Sequence, residues 1–345
     1  MVIRAITVVL LLGYVSSKPT ATVDPYTPGP LEVKVNLLLP QTTGLSGVEL
    51  NVWTPMTPGN YPVLYFADGL AMNIPAIAYT KVLSHMASHG FLVVTPFLTA
   101  VTSKPSEKLP YFRSILDWAE ANMQDVLHEN GVPANVTFDF QTLFGNSHSA
   151  GSHVIVLYLK ETCGNFKGLV LMSPVDGADP FGLVDDFCIT PGEELNFITP
   201  TLHLYTGYDA KKGSLGTACA PKTLSNERFW NALNPKSHRW SINATDFAHA
   251  DFLDDEFKVF VDKTHFCAVN EDLVEEDFPK YRQFVAGTAV AFFKALLEED
   301  YAYYLNYLED VSVMPIAATE RHFTPAGERP SPYCKQEPLR RQGST

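Results

Sequence analysis

The chain is short of positive charge. Its 25 lysines and arginines face 38 acidic residues, a formal charge of −13, and no Lys/Arg cluster occurs before the last few residues. A nucleic-acid partner is therefore not expected, since displacing counterions from phosphates needs a basic face. Adsorption to anionic membrane surfaces by charge alone is excluded for the same reason. Charged residues of both signs make up only 18% against 46% hydrophobic, so an intrinsically disordered chain is ruled out. Past the N-terminus there is no apolar run long enough to span a bilayer, no internal repeat and no linker that would divide the body. Cysteine is scarce: five residues, Cys163, Cys188, Cys219, Cys267 and Cys334. An odd number leaves at least one thiol outside any internal bridge, and a chain of 345 residues has core enough to fold without them.

The first 17 residues have the layout of a secretory signal. Arg4 supplies the charged region, Ala5–Val15 the apolar run, and Ser16-Ser17 the small residues at which cleavage is expected. A secreted or secretory-pathway lumenal protein follows. Two Asn-x-Thr triplets, at Asn135 and Asn243, are candidate glycosylation sites on that route, and an oxidising compartment would let the cysteines pair.

From Lys18 the pattern is a Pro- and Thr-rich lead-in followed by alternating strands and helices. Strands are expected at 31–39, 48–53, 61–66, 91–94, 142–146, 168–172, 201–205 and 239–242. Helices are expected at 76–89, 111–129, 150–160 and 279–299. Such alternation predicts one α/β domain, residues 18–318, with a mostly parallel sheet covered on both faces. The tyrosines at 301, 303, 304 and 307 fall at helical spacing and read as packing. Residues 319–345 read as a flexible tail.

The stretch richest in chemistry is Ser147-His148-Ser149-Ala150-Gly151, between an expected strand and an expected helix. A serine on such a turn projects its hydroxyl over the sheet edge, with a helix N-terminus behind it to receive an oxyanion. Crowding demands small residues two before and two after, which Ser147 and Gly151 satisfy around Ser149. A second register would put Ser147 at the apex instead. A nucleophile of this kind needs a histidine on a late loop and an acid between the two in sequence. His249 has that position. Asp176 and Asp209 each follow an expected strand, and spacing does not choose between them. The Ala150 amide is one candidate oxyanion donor, and the other is the Leu70 amide after the strand ending at Phe66.

Several of these segments resemble the chlorophyllase family of α/β-hydrolases, over about residues 62–297. Ala87-Ser88-His89-Gly90-Phe91-Leu92-Val93-Val94, Pro174-Val175-Asp176-Gly177 and Cys219-Ala220-Pro221 are similar to its segments, as are Asn226-Glu227-Arg228-Phe229-Trp230 and Arg282-Gln283-Phe284-Val285-Ala286-Gly287. Asp246-Phe247-Ala248-His249-Ala250-Asp251-Phe252-Leu253-Asp254-Asp255 matches the family's catalytic histidine segment at nearly every step. The resemblance implies an α/β-hydrolase fold and a carboxylester hydrolase that removes phytol from chlorophyll with no metal or organic cofactor. It also implies a triad of Ser149, Asp176 and His249, favouring Asp176 over Asp209. Three departures bear on substrate. The family elbow usually reads Gly-His-Ser-Arg-Gly-Gly, where this chain has Ser147, Ala150 and Ser152. Asp68-Gly69 stands where the family has His-Gly. The leader is unlike a plastid address. The rival readings are a secreted esterase or lipase on other esters and a catalytically silent tetrapyrrole binder.

Overall fold

The alternating pattern folds as expected. A computed structural model describes residues 23–179, 183–297 and 301–323; the expected signal segment lies outside them. Among these described residues nine strands form one sheet: β1 (Val33–Leu38), β2 (Val48–Pro55), β3 (Gly59–Ala67), β4 (Leu92–Leu98), β5 (Val136–His148), β6 (Phe166–Met172), β7 (Thr201–Thr206), β8 (Arg239–Ala244) and β9 (Thr319–Phe323). Their order across the sheet is β1-β2-β4-β3-β5-β6-β7-β8-β9. β3 to β8 run parallel, while β1, β2 and β9 are antiparallel additions at the two ends.

The helices are α1 (Pro40–Thr43), the short turn α2 (Gly69–Met72), α3 (Thr80–Ser88), α4 (Leu109–Glu129), α5 (Gly151–Thr162), α6 (Asn226–Ala232), α7 (Asp255–Thr264), α8 (Asp277–Leu296) and α9 (Tyr301–Glu309). Successive strand residues point to opposite faces, so β3 feeds two cores at once. Leu64 and Phe66 join the core with α3, α8 and α9. Val63, Tyr65 and Ala67 join the one with α4, α5 and α6. α8 packs on α3 and α9 as well as on the sheet, which is why its apolar residues run almost without interruption from Phe284 to Phe293. Burying each Phe or Val there stabilises the fold by about 1.5–3 kcal/mol.

Some details depart from the sequence reading, among them α6 and α7, which lie where no helix was expected. β5 begins at Val136, six residues before the expected start at Thr142. Residues 319–323, expected as the opening of a flexible tail, form β9 and pair antiparallel with β8. The lead-in is docked: the side chains of His85 and His89 bond the carbonyls of Pro25 and Thr27, and Tyr26 donates to the Tyr307 carbonyl. The tyrosines of α9 pack as expected, with Tyr304 buried. Cys219 and Cys267 form a disulfide, while Cys188 is a buried free thiol.

β4 lies on one side of β3 and β5 on the other, so the chain changes direction there. In parallel sheets, ligands bind outside the C-terminal strand ends at such a switch point.

Candidate active site

β5 delivers its last residues beside two parallel neighbours: Ser147 opposite Ala67 of β3, and His148 opposite Met172 of β6. The chain then turns abruptly. Ser149 has φ 54°, a left-handed conformation that is strained for a residue with a side chain. Its amide donates to the Met172 carbonyl at 3.0 Å, and its own carbonyl accepts from Ser152 and Val175. Gly151 is required here, because a Cβ would lie 2.1 Å from the Ala67 carbonyl oxygen. The absent side chain lets α5 begin against the end of β3.

Ser149 lines an apolar cleft. Ser147 does not. It is fully buried, and its hydroxyl shares a 2.8 Å hydrogen bond with that of Ser152.

His249, on the loop after β8, lines the same cleft. Its Nδ1 lies 2.9 Å from Asp209 Oδ1. The other oxygen of Asp209 accepts from the Thr206 amide at 3.0 Å. The acid facing His249 is thus Asp209, and the expectation that Asp176 would fill that place is corrected. Sheet order supplies the reason. The strand before His249 is β8, whose parallel neighbour is β7, and Asp209 leaves β7.

Asp176 leaves β6 and is turned the other way. Its Oδ1 accepts from the Cys188 amide at 2.7 Å and lies 3.0 Å from His153 Nδ1. Its Oδ2 accepts from the Ile189 amide and from Arg228 Nε at 2.7 Å. Burial alone would raise this carboxyl, but His153 and the Cys188 amide hold it below the usual carboxylate range. His153, Asp176 and Cys188 bring three ligand-type atoms within 4.8 Å of one another. The guanidinium of Arg228 already supplies the positive charge there, so a cation would have to compete with it.

The remaining expected residues also meet at the cleft. Leu70 and Ala150 both line it. Leu70, Ala71 and Met72 have consecutive positive φ of 50°, 54° and 67°, which bends the chain after β3 over the sheet end. Asp68, just before this turn, is fully buried and accepts from the Ile74 amide. Burial pushes its carboxyl well above the ordinary value. Gly69 donates its amide to the Tyr79 hydroxyl, and both Gly69 and Leu70 line the cleft. The walls are apolar, with Ile74, Leu224, Leu253, Val261 and Phe266 beside the Cys219–Cys267 disulfide.

Two side chains here went unassigned in the sequence. His148 Nδ1 lies 2.9 Å from the Tyr79 hydroxyl, and its Nε2 lies 3.1 Å from the His249 carbonyl oxygen. Burial, reinforced by the charge of His249, drives the His148 pKa well below the ordinary value. Its position between the two serines was the available signal. Tyr79 carried none.

Comparison with known proteins agrees with this architecture. Residues 21–324 match the chlorophyllase family. Chlorophyllase-1, chloroplastic, of Citrus unshiu is 30% identical over 272 residues, covering 77% of this chain and 78% of the relative. Chlorophyllase-2 of Arabidopsis thaliana is 27% identical over 73% of this chain and 78% of its own length. Chlorophyllase type 0 of Chenopodium album is 27% identical over 77% and 76%. With a match over most of its length, and with a mostly parallel sheet whose loops bring Ser149 and His249 to one cleft, the chain belongs to the chlorophyllase family of carboxylic ester hydrolases on the α/β-hydrolase fold.

Proposed function

We propose that the protein is a secreted serine carboxylester hydrolase that cleaves the phytyl ester of chlorophyll, with Ser149 as nucleophile, His249 as general base and Asp209 as the acid that orients it. The observation that carries this reading is the 2.9 Å contact between His249 Nδ1 and Asp209 Oδ1 in the cleft that also holds Ser149. With a proton on Nδ1 donated to Asp209, Nε2 is the basic nitrogen.

The steps follow. Ser149 Oγ attacks the ester carbonyl carbon while His249 Nε2 takes its proton. The carbonyl oxygen becomes an oxyanion held by the Ala150 and Leu70 amides, a type of donor worth about 3–4 kcal/mol apiece in acyl transfer. Collapse breaks the bond to the alkoxy oxygen, which takes the proton from His249 and leaves as the alcohol. Water, deprotonated by His249, then attacks the acyl-enzyme carbonyl, and as the bond to Ser149 Oγ breaks His249 returns that proton to it, releasing the acid and free Ser149. The apolar walls suit a long hydrocarbon alcohol and a macrocyclic acyl group.

Secretion is supported by the order of residues 1–17 and by the Cys219–Cys267 disulfide, since such bonds persist in oxidising compartments. Of the two sequons, Asn135 is exposed, whereas Asn243 sits within β8 between β7 and β9.

A second reading, hydrolysis of other apolar esters, is favoured by Ala150 directly after the nucleophile and by Asp68 before Gly69. Both residues border the oxyanion position and both depart from the family pattern. One experiment separates the two: chlorophyllide release from chlorophyll a beside turnover of a short p-nitrophenyl ester, by wild type and Ser149→Ala. Chlorophyllide formed by wild type and not by the variant is the expected result. Turnover of the short ester alone would remove chlorophyll as substrate and keep the nucleophile. Activity surviving Ser149→Ala would remove the nucleophile.

A further inference from the structure

The hydrogen bonds around His148 run in one direction. The Gly69 amide can only donate, at 3.1 Å to the Tyr79 oxygen. The His249 carbonyl can only accept, at 3.1 Å from His148 Nε2. Tyr79 has a single hydroxyl hydrogen, and its remaining contact is His148 Nδ1 at 2.9 Å. With the His148 ring neutral, as its burial favours, the assignment is forced. Gly69 donates to Tyr79, Tyr79 donates to His148 Nδ1, and His148 carries its proton on Nε2 and donates it to the His249 backbone. All four residues of this chain of bonds, Gly69, Tyr79, His148 and His249, are buried and line the cleft beside Ser149.

Each end of the chain of bonds belongs to a different catalytic loop. Gly69 opens the turn whose next three residues hold positive φ, a conformation that persists only where its surroundings over-determine it. The fit is close: a Cβ on Gly69 would lie 3.1 Å from the Tyr79 hydroxyl oxygen and 3.2 Å from His148 Nδ1. At the other end, the His249 carbonyl anchors the loop whose imidazole faces Asp209. The ring of His148 lies over that imidazole, with centroids 4.7 Å apart and planes inclined by 37°. Between the ends sits the residue that immediately precedes Ser149 in the chain.

We infer that Tyr79 and His148 are positioning residues of the ester hydrolysis, a buried relay that sets the Leu70 amide, Ser149 and the His249 imidazole in register with one another. The inference rests on the roles given above to Ser149, His249 and Leu70. The relay requires His148 to stay neutral. A second proton would leave Tyr79 no acceptor and would set a positive charge against the imidazolium that forms on His249 during the reaction. Burial and His249 both press His148 towards the neutral form.

The test uses the full-length protein, a short p-nitrophenyl ester, and the variants Tyr79→Phe, His148→Phe, His148→Gln and the Tyr79→Phe/His148→Phe pair. Removing a member leaves buried partners unpaired and loosens the loops, so Tyr79→Phe and His148→Phe should each lower kcat about 10- to 100-fold, with KM within about twofold. Residues acting as one unit are not additive, so the pair should be no slower than the worse single variant. His148→Gln keeps an acceptor and a donor side by side and should recover most of the rate. Unchanged kcat in both single variants, with Ser149→Ala inactive, would overturn the relay and leave the triad standing. Losses that multiply in the pair, follow the fall in Tm and are not rescued by glutamine would reduce the two residues to ordinary packing. Equal activity of wild type and Ser149→Ala would overturn the triad and the relay together. If His148→Phe does not fold, Tyr79→Phe, which removes one oxygen atom, decides the question alone.

Discussion

Asp176 and Asp209 are two buried aspartates, each just past the end of a parallel strand and each beside a histidine, yet their surroundings differ completely. Asp176 receives two amides and a guanidinium, with the His153 ring 3.0 Å away. Through them it ties the loop at 188–189, α5 and α6 to the end of β6. Asp209 receives one amide from its own turn and points its other oxygen at His249 in the cleft. An acid saturated with donors is a structural hub. One that spares an oxygen for a cleft histidine can orient a base.

Substitution should therefore separate the two. Asp209→Asn would leave the volume in place and disturb the tautomer of His249, and kcat on a short ester is expected to fall by about 10³- to 10⁴-fold with little change in denaturation midpoint. For Asp176→Ala the larger effect is on stability. Arg228 would lose its carboxylate in a buried setting, a cost of about 3–5 kcal/mol, read as the shift in urea midpoint. A kcat loss at Asp176 matching that at Asp209, in protein that remains folded, would erase the distinction.

The comparison extends to pH. The Asp176 carboxyl is held below its ordinary value, so the stability it contributes is present above the unfolded pKa and is lost as pH falls through the folded one. Asp251, two residues past His249, behaves oppositely. Burial raises its carboxyl to about 6, against the amide of Ala248 and the charge of Lys258. The fold binds that proton more tightly than the unfolded chain, so stability declines as pH rises from the unfolded value to about 6. Asp251→Asn should remove this decline and raise stability at pH 7 by about 1–3 kcal/mol, measured as ΔG of unfolding between pH 4 and 8. A wild-type slope retained in the variant would assign the decline elsewhere.

The smallest effect concerns the surface. If the chain follows the secretory route, Asn135→Gln should abolish the mobility shift produced by glycan removal, while Asn243→Gln leaves it intact, because the Asn243 side-chain oxygen is buried within β8. The reverse pattern would contradict the placement of Asn243 in β8.

Much of the fold was legible because its signals are local. Strand-like runs ending in Asp68-Gly69, and the alternation of strand and helix up to α8, follow from side-chain periodicity. The elbow was legible too, since crowding at Gly151 is a constraint that a five-residue motif carries. β9 was not legible. Thr319–Phe323 has no strong apolar alternation, and it is a strand because β8 offers an unpaired edge. The choice of acid was not legible either. Pro174-Val175-Asp176-Gly177 and Thr206-Gly207-Tyr208-Asp209 each place an aspartate after a strand, and resemblance pointed to the first. The Tyr79–His148 relay joins residues 69 positions apart, beyond the reach of any local pattern.

By itself, then, the sequence determined the α/β class, the parallel core, the strained turn at Ser149 and the late-loop histidine, because each depends on neighbours within a few residues. Which aspartate faces His249, which serine reaches the cleft and what ties the three loops together were decided only by the tertiary structure. Those outcomes depend on which strands lie side by side, and a hydrogen bond selects its partner by distance and direction rather than by position along the chain.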